Sequence, residues 1–523
     1  MDGSGSGKSA SYSIPNAYQM LGSYVFTDPK GELYDRTAGY LKAHGYEIKV
    51  LNLVRPQYSD GYNPLMHISS EIDVDVIANT IVKGQKTESS SEPYWDDMAE
   101  MLLKALIYYL IATRPEEEQN LASCAELVRA ANNNGGSNLL TELMSQLPYD
   151  HPARMYYKSI EIAPEKTYGS ILSSLQSKLG KFDSKEIAEL TSTDTIKFED
   201  IGSRKTAVYV ISSDTHTAYD FLLTIFFSQM IQQLYDFADQ NGGKLKEQTF
   251  FILDEFANIG KIPDFDKKIS TSRSRKISFS VILQNVDQLE AVYEKSYETI
   301  MGNCDTHVFL GSNSFKTLEY FSKQLGEKTI ERDSISVSRD KQNYRTGKSV
   351  SDQVMARALM TPDELRRLDN DLCIIFEKGV KPVKANKFYY FKHSMAKEME
   401  RLEISHNDIG ERDRGVWRKY NPYNPYVSES EEKKVENLKV ESLDDLFEDD
   451  PKDDLKNDDK KELKEEKVTT TVGAMEGKKE PQIDLKSLND EAPVLPQNED
   501  DSYDLQKELE AKFDELFGPL DED

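Results

Sequence analysis

Seven short apolar runs punctuate the chain, at 23–29, 47–54, 207–213, 249–255, 277–284, 306–311 and 372–379, each bounded by turn-forming residues. Most are continuous rather than alternating, the pattern of strands buried on both faces of a parallel sheet. Helical patterns separate several of them. In 219–238, Phe221, Leu222, Ile225, Phe226, Ile231 and Leu234 spread round most of the helix circumference, which places that helix deep in the core. Strands alternating with helices predict an α/β fold with ligand chemistry at the carboxyl ends of the strands.

The stretch from about 63 to 195 differs, with helical patterns and few convincing strands. Its strongest pattern, 95–112 (WDDMAEMLLKALIYYLIA), carries Asp96, Asp97, Glu100 and Lys104, so it is not a membrane span. The expected organisation is an α/β domain in two parts, 1–62 and 198–400, with an all-α domain inserted at 63–197. A connecting segment follows at 401–426. Beyond it, 427–523 reads as a disordered acidic tail, too poor in apolar residues to offset the entropy of ordering. Two acidic-hydrophobic clusters, Leu443–Phe447 and Phe513–Phe517, interrupt that tail and could dock as amphipathic turns.

Charge modifies this picture. The formal net charge is −27, which argues against a nucleic-acid partner. Yet the tail holds 33 Asp/Glu against 14 Lys and no Arg, a net of −19, leaving −8 for the rest. The folded part is therefore only mildly acidic, and the exclusion does not stand. Cys124, Cys304 and Cys373 are scattered, odd in number and without CxxC spacing, so neither a disulfide framework nor a zinc site is expected. Without a signal-peptide pattern or a long apolar run, the chain reads as soluble and cytosolic in type.

Three motifs carry chemistry. The first runs Asp2-Gly3-Ser4-Gly5-Ser6-Gly7-Lys8-Ser9. Glycines let backbone N–H groups converge on phosphate oxygens, a lysine reaches the terminal phosphates, and a serine hydroxyl can ligate Mg²⁺. Asp2 stands where the pattern has its first glycine, and GSGSG also reads as a flexible linker. Second, 249–255 is an apolar strand ending in Asp254 and Glu255, where one carboxylate can hold Mg²⁺ and the other orient attacking water. A merely capped strand end is the plainer reading. Third, 277–284 ends in Gln284, placed either to sense a γ-phosphate through water or to cap a turn. Just upstream, Arg273, Arg275 and Lys276 form either a solvated basic patch or a source of an arginine acting on a neighbour's nucleotide.

Taken in order, these residues resemble the TraG/TraD-type coupling proteins of conjugation and type IV secretion. The resemblance covers residue 2 to about 400. It rests on GSGSGKS followed by Pro15-Asn16, on DPKGEL at 28–33, on Asn63-Pro64-Leu65, and on Trp95 opening the LLKALIYYL helix. FILDEFANIG at 251–260, SRKISFSVILQ at 274–284 and MTPDEL at 360–365 complete it. It implies a RecA-like P-loop nucleotide-binding domain with an inserted all-α domain, forming a homo-hexamer around the translocated strand. ATP and Mg²⁺ are the implied cofactors, with Gly3, Gly5, Ser6 and Gly7 cradling phosphate. Lys8 matches the phosphate-loop lysine, Ser9 and Asp254 the Mg²⁺ ligands, Glu255 the catalytic carboxylate, Gln284 the sensor and Arg275 the arginine acting across subunits. Asp28 and Lys30 acquire no firm role.

The implied function is an ATP-driven translocase that recruits relaxase-bound single-stranded DNA, or protein substrates, and delivers them to a type IV secretion channel. Alternatives are a nucleotide-gated substrate receptor that does not pump DNA, and an FtsK-like double-stranded DNA translocase. Family members begin with two membrane-spanning helices and a strand feeding the phosphate loop. Neither precedes Asp2, so the expectation is an N-terminally truncated chain, whose full-length form sits at the cytoplasmic face of the cell membrane.

Overall fold

The computed structural model describes residues 7–84, 93–132, 139–213, 218–339 and 346–423. Gly3, Gly5, Ser6 and the acidic tail with its two clusters lie outside them. Among the described residues, a five-stranded parallel sheet takes the order β2 (Glu47–Asn52), β3 (Thr206–Ile211), β1 (Ser23–Thr27), β4 (Thr249–Leu253), β5 (Ile277–Val281). The continuous apolar runs explain the order. Every residue of β1 and β3 is buried, as interior strands covered on both faces require, whereas β2 and β5 at the margins are only partly covered.

Alternation along the strands sorts side chains onto two faces. Tyr24, Phe26, Val50, Tyr209 and Ile252 face α1 (Ile14–Tyr18) and α2 (Glu32–Ala43) in one core. Val25, Leu51, Val208, Phe251 and Leu253 face the other way into a larger core, which the long helices fill. These are α3 (Glu71–Lys83), α4 (Pro93–Thr113), α5 (Leu121–Asn132), α6 (Leu139–Ser145), α7 (Pro152–Glu161), α8 (Glu165–Leu179), α9 (Lys185–Ser192), α10 (Phe198–Ser203) and α11 (Asp220–Gln240). Helix α11 is the deeply buried one, with Phe226 and Phe227 fully covered.

No strand occurs among the described residues between β2 and β3. The chain enters and leaves this helical stretch at one place. Tyr62 N–H donates to Leu190 O at 3.0 Å, Thr195 N–H to Gly61 O at 3.0 Å, and buried His67 meets Asp194 at 2.7 Å. The helices nevertheless share a continuous core with the sheet.

Two of the apolar runs belong elsewhere. The 306–311 and 372–379 runs form β6 (Thr306–Phe309) and β9 (Leu372–Glu377), which with β10 (Val383–Asn386) make an antiparallel sheet of order β10-β9-β6. Half-exposed strands of this kind do not need the parallel sheet's double cover. Between them runs a 13-residue-per-strand hairpin, β7 (Glu327–Arg339) with β8 (Thr346–Ala358), paired from Glu327↔Ala358 to Arg339↔Thr346. Its sequence is mostly polar and carries no apolar run, so hydrophobic patterning does not reveal it.

After the last sheet the chain turns back over the molecule as a strap. Arg414 donates to Pro56 O at 3.1 Å and pairs with Glu189 at 3.2 Å; Arg418 reaches the buried Glu118 at 3.1 Å, which Arg114 also holds at 2.7 Å. Tyr420 lies under the Arg114 guanidinium, and the Tyr423 hydroxyl donates to Ala130 O at 3.0 Å.

Because sheet and helices share one core, Phe226→Ala is expected to cost about 3–5 kcal/mol in urea unfolding. Trp95 and Trp417 fluorescence and far-ultraviolet circular dichroism should then fall in a single transition; two separated transitions would show that the helices fold independently.

Candidate nucleotide site

Parallel registry sets the site. Thr27 pairs with Leu253 and Leu253 with Val281, so β1, β4 and β5 end level with one another. The residues that follow emerge side by side. Asp28 leaves β1, Asp254 and Glu255 leave β4, and Gln284 leaves β5. The Thr27 hydroxyl ties two of these ends together by donating to Asp254 O at 2.7 Å.

Above them stands the start of the first helix. Gly7 has φ +70°, the left-handed backbone that admits glycine freely. Ser11 closes back on it, its N–H donating to Gly7 O at 2.8 Å and its hydroxyl at 2.7 Å. Residues Ser9–Ser13 coil as a π turn before α1, a widened geometry frequent at functional sites. The Tyr12 hydroxyl meets Ser280 on β5 at 2.8 Å, fixing this helix over the strand ends.

Lys8 reaches down from it. Its Nζ lies 3.0 Å from Glu255 Oε1 and 3.6 Å from Asp254 Oδ1, and Gln284 Nε2 donates to the same Glu255 oxygen at 2.9 Å. Four of the residues singled out in the sequence thus meet within one hydrogen-bonded cluster. Lys8, Asp254 and Glu255 are mostly buried, so their mutual attraction is weakly screened. Burial raises the Asp254 carboxyl above its ordinary pKa; the Lys8 ammonium opposes that shift and Glu255 adds to it. Glu255 also sits in the left-handed region, φ 51° and ψ 46°, a strain that costs of order 1–3 kcal/mol and concentrates at sites of function.

The cluster suits a nucleotide with Mg²⁺. A phosphate competes with the carboxylates for Lys8, and a cation competes with Lys8 for the carboxylates, so the two together replace the existing pairs. Among the described residues no group of three or more His, Cys, Asp or Glu could cage a metal unaided. Asp254, with Oδ1 3.6 Å from Lys8 Nζ, fits the lesser role that Mg²⁺ requires, a single carboxylate beside phosphate and water.

Arg275 is not part of the cluster. It precedes β5 while Gln284 follows it, and five residues of strand separate the two by about 16 Å. Its guanidinium grips Asp239 through two 3.0 Å contacts and lies 4.8 Å over the Tyr235 ring. Within one chain it cannot reach the Lys8 site. Lys30 is exposed. Asp28 is buried and accepts the Tyr34 N–H at 2.8 Å, holding the first turn of α2. Tyr389 has no counterpart in the sequence reading. Its ring covers the phosphate loop so closely that a Cβ on Gly7 would stand 3.1 Å from it. The signal was the aromatic run 388–391, which reads equally well as core.

The family model for type IV secretory system conjugative DNA transfer, T4SS-DNA_transf, matches residues 1–411. The chain belongs to this family. It is 25% identical over 389 residues to the conjugal transfer protein TraG of Escherichia coli, covering 69% of this chain and 60% of the relative. With protein VirD4 of Agrobacterium fabrum it shares 24% identity over 418 residues, 76% of this chain and 59% of VirD4. The chain thus spans about three-fifths of these curated relatives. Among solved structures it resembles the bacterial conjugative coupling protein TrwBdeltaN70, with a TM-score of 0.51 at 17% identity, over 74% of this chain and 82% of that one. That likeness shows a RecA-like α/β fold with a parallel sheet. No helix among the described residues is long and apolar enough to cross a membrane.

Asp28 supplies a pH test. Burial lifts its carboxyl from 3.8 to about 7, the backbone donors of Tyr34 and Leu33 opposing and Asp35 and Glu32 adding. The folded chain therefore holds a proton that the unfolded chain releases near pH 4. Its stabilising contribution is complete below that and lost as pH rises through 7. Asp28→Asn, which keeps an acceptor for Tyr34, should flatten the stability profile between pH 4 and 7 by up to ~1.4 kcal/mol per pH unit.

Proposed function

We propose that this chain is the motor portion of a conjugative coupling protein, hydrolysing ATP to drive single-stranded DNA, with its relaxase, or protein substrates into a type IV secretion channel. The observation that carries the reading is the Lys8–Glu255–Gln284 cluster at level strand ends, in a chain of the conjugative DNA transfer family. On this reading the glycine-rich segment of Gly3, Gly5, Ser6 and Gly7 is the part of the chain that binds the phosphates, and Lys8 holds the terminal ones. Mg²⁺, held by Ser9 and Asp254, neutralises charge on the phosphate oxygens when bound. Glu255, freed from Lys8, accepts a hydrogen bond from the attacking water and aligns it. Gln284, already bonded to that carboxylate, links its position to the γ-phosphate.

Arg275 acts in trans. Its position at the far end of β5 from its own chain's cluster supports a role on a neighbouring copy in a homo-hexamer. Releasing it means breaking its pairing with Asp239, an exposed contact of modest strength. The helices between β2 and β3 form an all-α insertion at about 63–197 that packs into the sheet's own core; the adjoining entry and exit segments at 61–67 and 190–195 support this. The full-length protein works at the cytoplasmic face of the cell membrane, anchored through an N-terminal region. The family match favours DNA transfer over a receptor that does not pump and over double-stranded DNA translocation.

In an ATPase assay of the full-length protein, Lys8→Ala should abolish binding and turnover. Glu255→Gln should keep binding and lower turnover at least ~100-fold. Arg275→Ala should spare binding and remove only the turnover that depends on assembly. Single-stranded DNA should stimulate the wild type, with binding that weakens steeply in salt. Turnover indifferent to both Lys8 and Glu255 would overturn the reading.

A further inference from the structure

Next to the phosphate loop lies a second opening. A cleft of about 410 Å³ begins at Ser9 and Ala10 and runs between the first helix and α2 to Tyr390 and Glu403. Carboxylates dominate its lining. Glu32, Asp35 and Glu403 line it, and its one guanidinium, Arg36, is already paired with Glu403. Asp35 is likewise engaged, by the His406 ring at 2.8 Å, whereas Glu32 is exposed on the first turn of α2. Such a lining repels phosphate and accepts hydrogen bonds from neutral donors. Beside these acceptors stands an aromatic ring. Tyr390 rests against Tyr18 with ring centroids 6.3 Å apart and lines the cleft, while its neighbour Tyr389 covers Gly7.

From Lys8 to Tyr390 the surface therefore offers a cation, then the helix start, then carboxylates and a flat ring. We propose that the cleft receives the ribose and base of the nucleotide whose phosphates Lys8 holds. The Tyr390 ring is the surface against which the base packs, and Glu32 and Glu403 accept from the ribose hydroxyls and an exocyclic amino group. The proposal rests on the nucleotide reading of the Lys8 site and adds the residues that recognise the nucleoside. It also gives the bound molecule one direction, since the carboxylates admit its donor-rich end and exclude its anionic end. The short segment from β10 to Tyr390 thus serves both halves of the site, Tyr389 at the phosphate loop and Tyr390 at the nucleoside.

Two probes separate the halves: ATP, and inorganic tripolyphosphate, each titrated with Mg²⁺ into the full-length protein by calorimetry. Tyr390→Ala should weaken ATP about tenfold, as loss of a base–aromatic contact does, and leave tripolyphosphate within about twofold. Tyr390→Phe should restore ATP binding, because it keeps the ring. Glu32→Gln, at an exposed position, should weaken ATP several-fold and spare tripolyphosphate. Unchanged ATP affinity in both Tyr390→Ala and Glu32→Gln would overturn the proposal and leave the Lys8 site standing. Equal loss of both probes in Tyr390→Ala would overturn it too, making Tyr390 a support for the phosphate loop. If tripolyphosphate fails to bind the wild type, or Lys8→Ala binds both probes normally, the nucleotide reading falls and takes the cleft assignment with it.

Discussion

Everything in the site depends on the register of three parallel strands. Thr27, Leu253 and Val281 stand opposite one another, so one plane cuts the carboxyl ends of β1, β4 and β5. A slip of one residue would turn each strand's buried set to the opposite face, which two apolar cores forbid. The geometry of the cluster is thereby enforced by packing far from it. The carboxylates need no dedicated scaffold, because the hydrophobic effect that aligns Val25 with Phe251 also aligns what comes after them.

On that frame the charges are arranged economically. Lys8 is the cation for two carboxylates, and Gln284 completes the coordination of one of them. Buried charges persist only when paired. Any ligand that separates Lys8 from Glu255 must therefore supply both a replacement anion and a replacement cation. A nucleotide with its metal does this, and neither partner does so alone. The left-handed backbone at Glu255 keeps its carboxylate turned into the cluster rather than along the strand.

Legibility in the sequence followed the physics of each element. Interior strands such as 206–211 announce themselves because burial on both faces demands uninterrupted apolar residues. The β7–β8 hairpin pairs along a mostly polar sequence and leaves no such trace. Lys8, Asp254, Glu255 and Gln284 stand out in the sequence because motif spacing and strand ends mark them, and the structure brings the four together. Arg275 stands apart from them, since the sheet puts its end of β5 away from the other three strand ends, a separation that motif order does not show. Tyr390 and Glu403 were not legible. Nucleoside binding asks for a ring and some acceptors without fixing their spacing, and their nearness to Ser9 comes from a fold-back of the chain after β10.

The strap carries the packed fold past the end of the family match. The family pattern stops at residue 411, and the anchoring side chains Arg412, Arg414, Arg418 and Tyr420 all come later. A chain cut at the family boundary would keep Lys8, Asp254, Glu255 and Gln284. It would also leave Glu118, only 1% exposed, with one cation in place of two, and uncover the Tyr109 face on which Tyr420 lies. Among the described residues the packed fold therefore runs about a dozen residues past the family match, and a cut at 411 would sever contacts that hold the helices together.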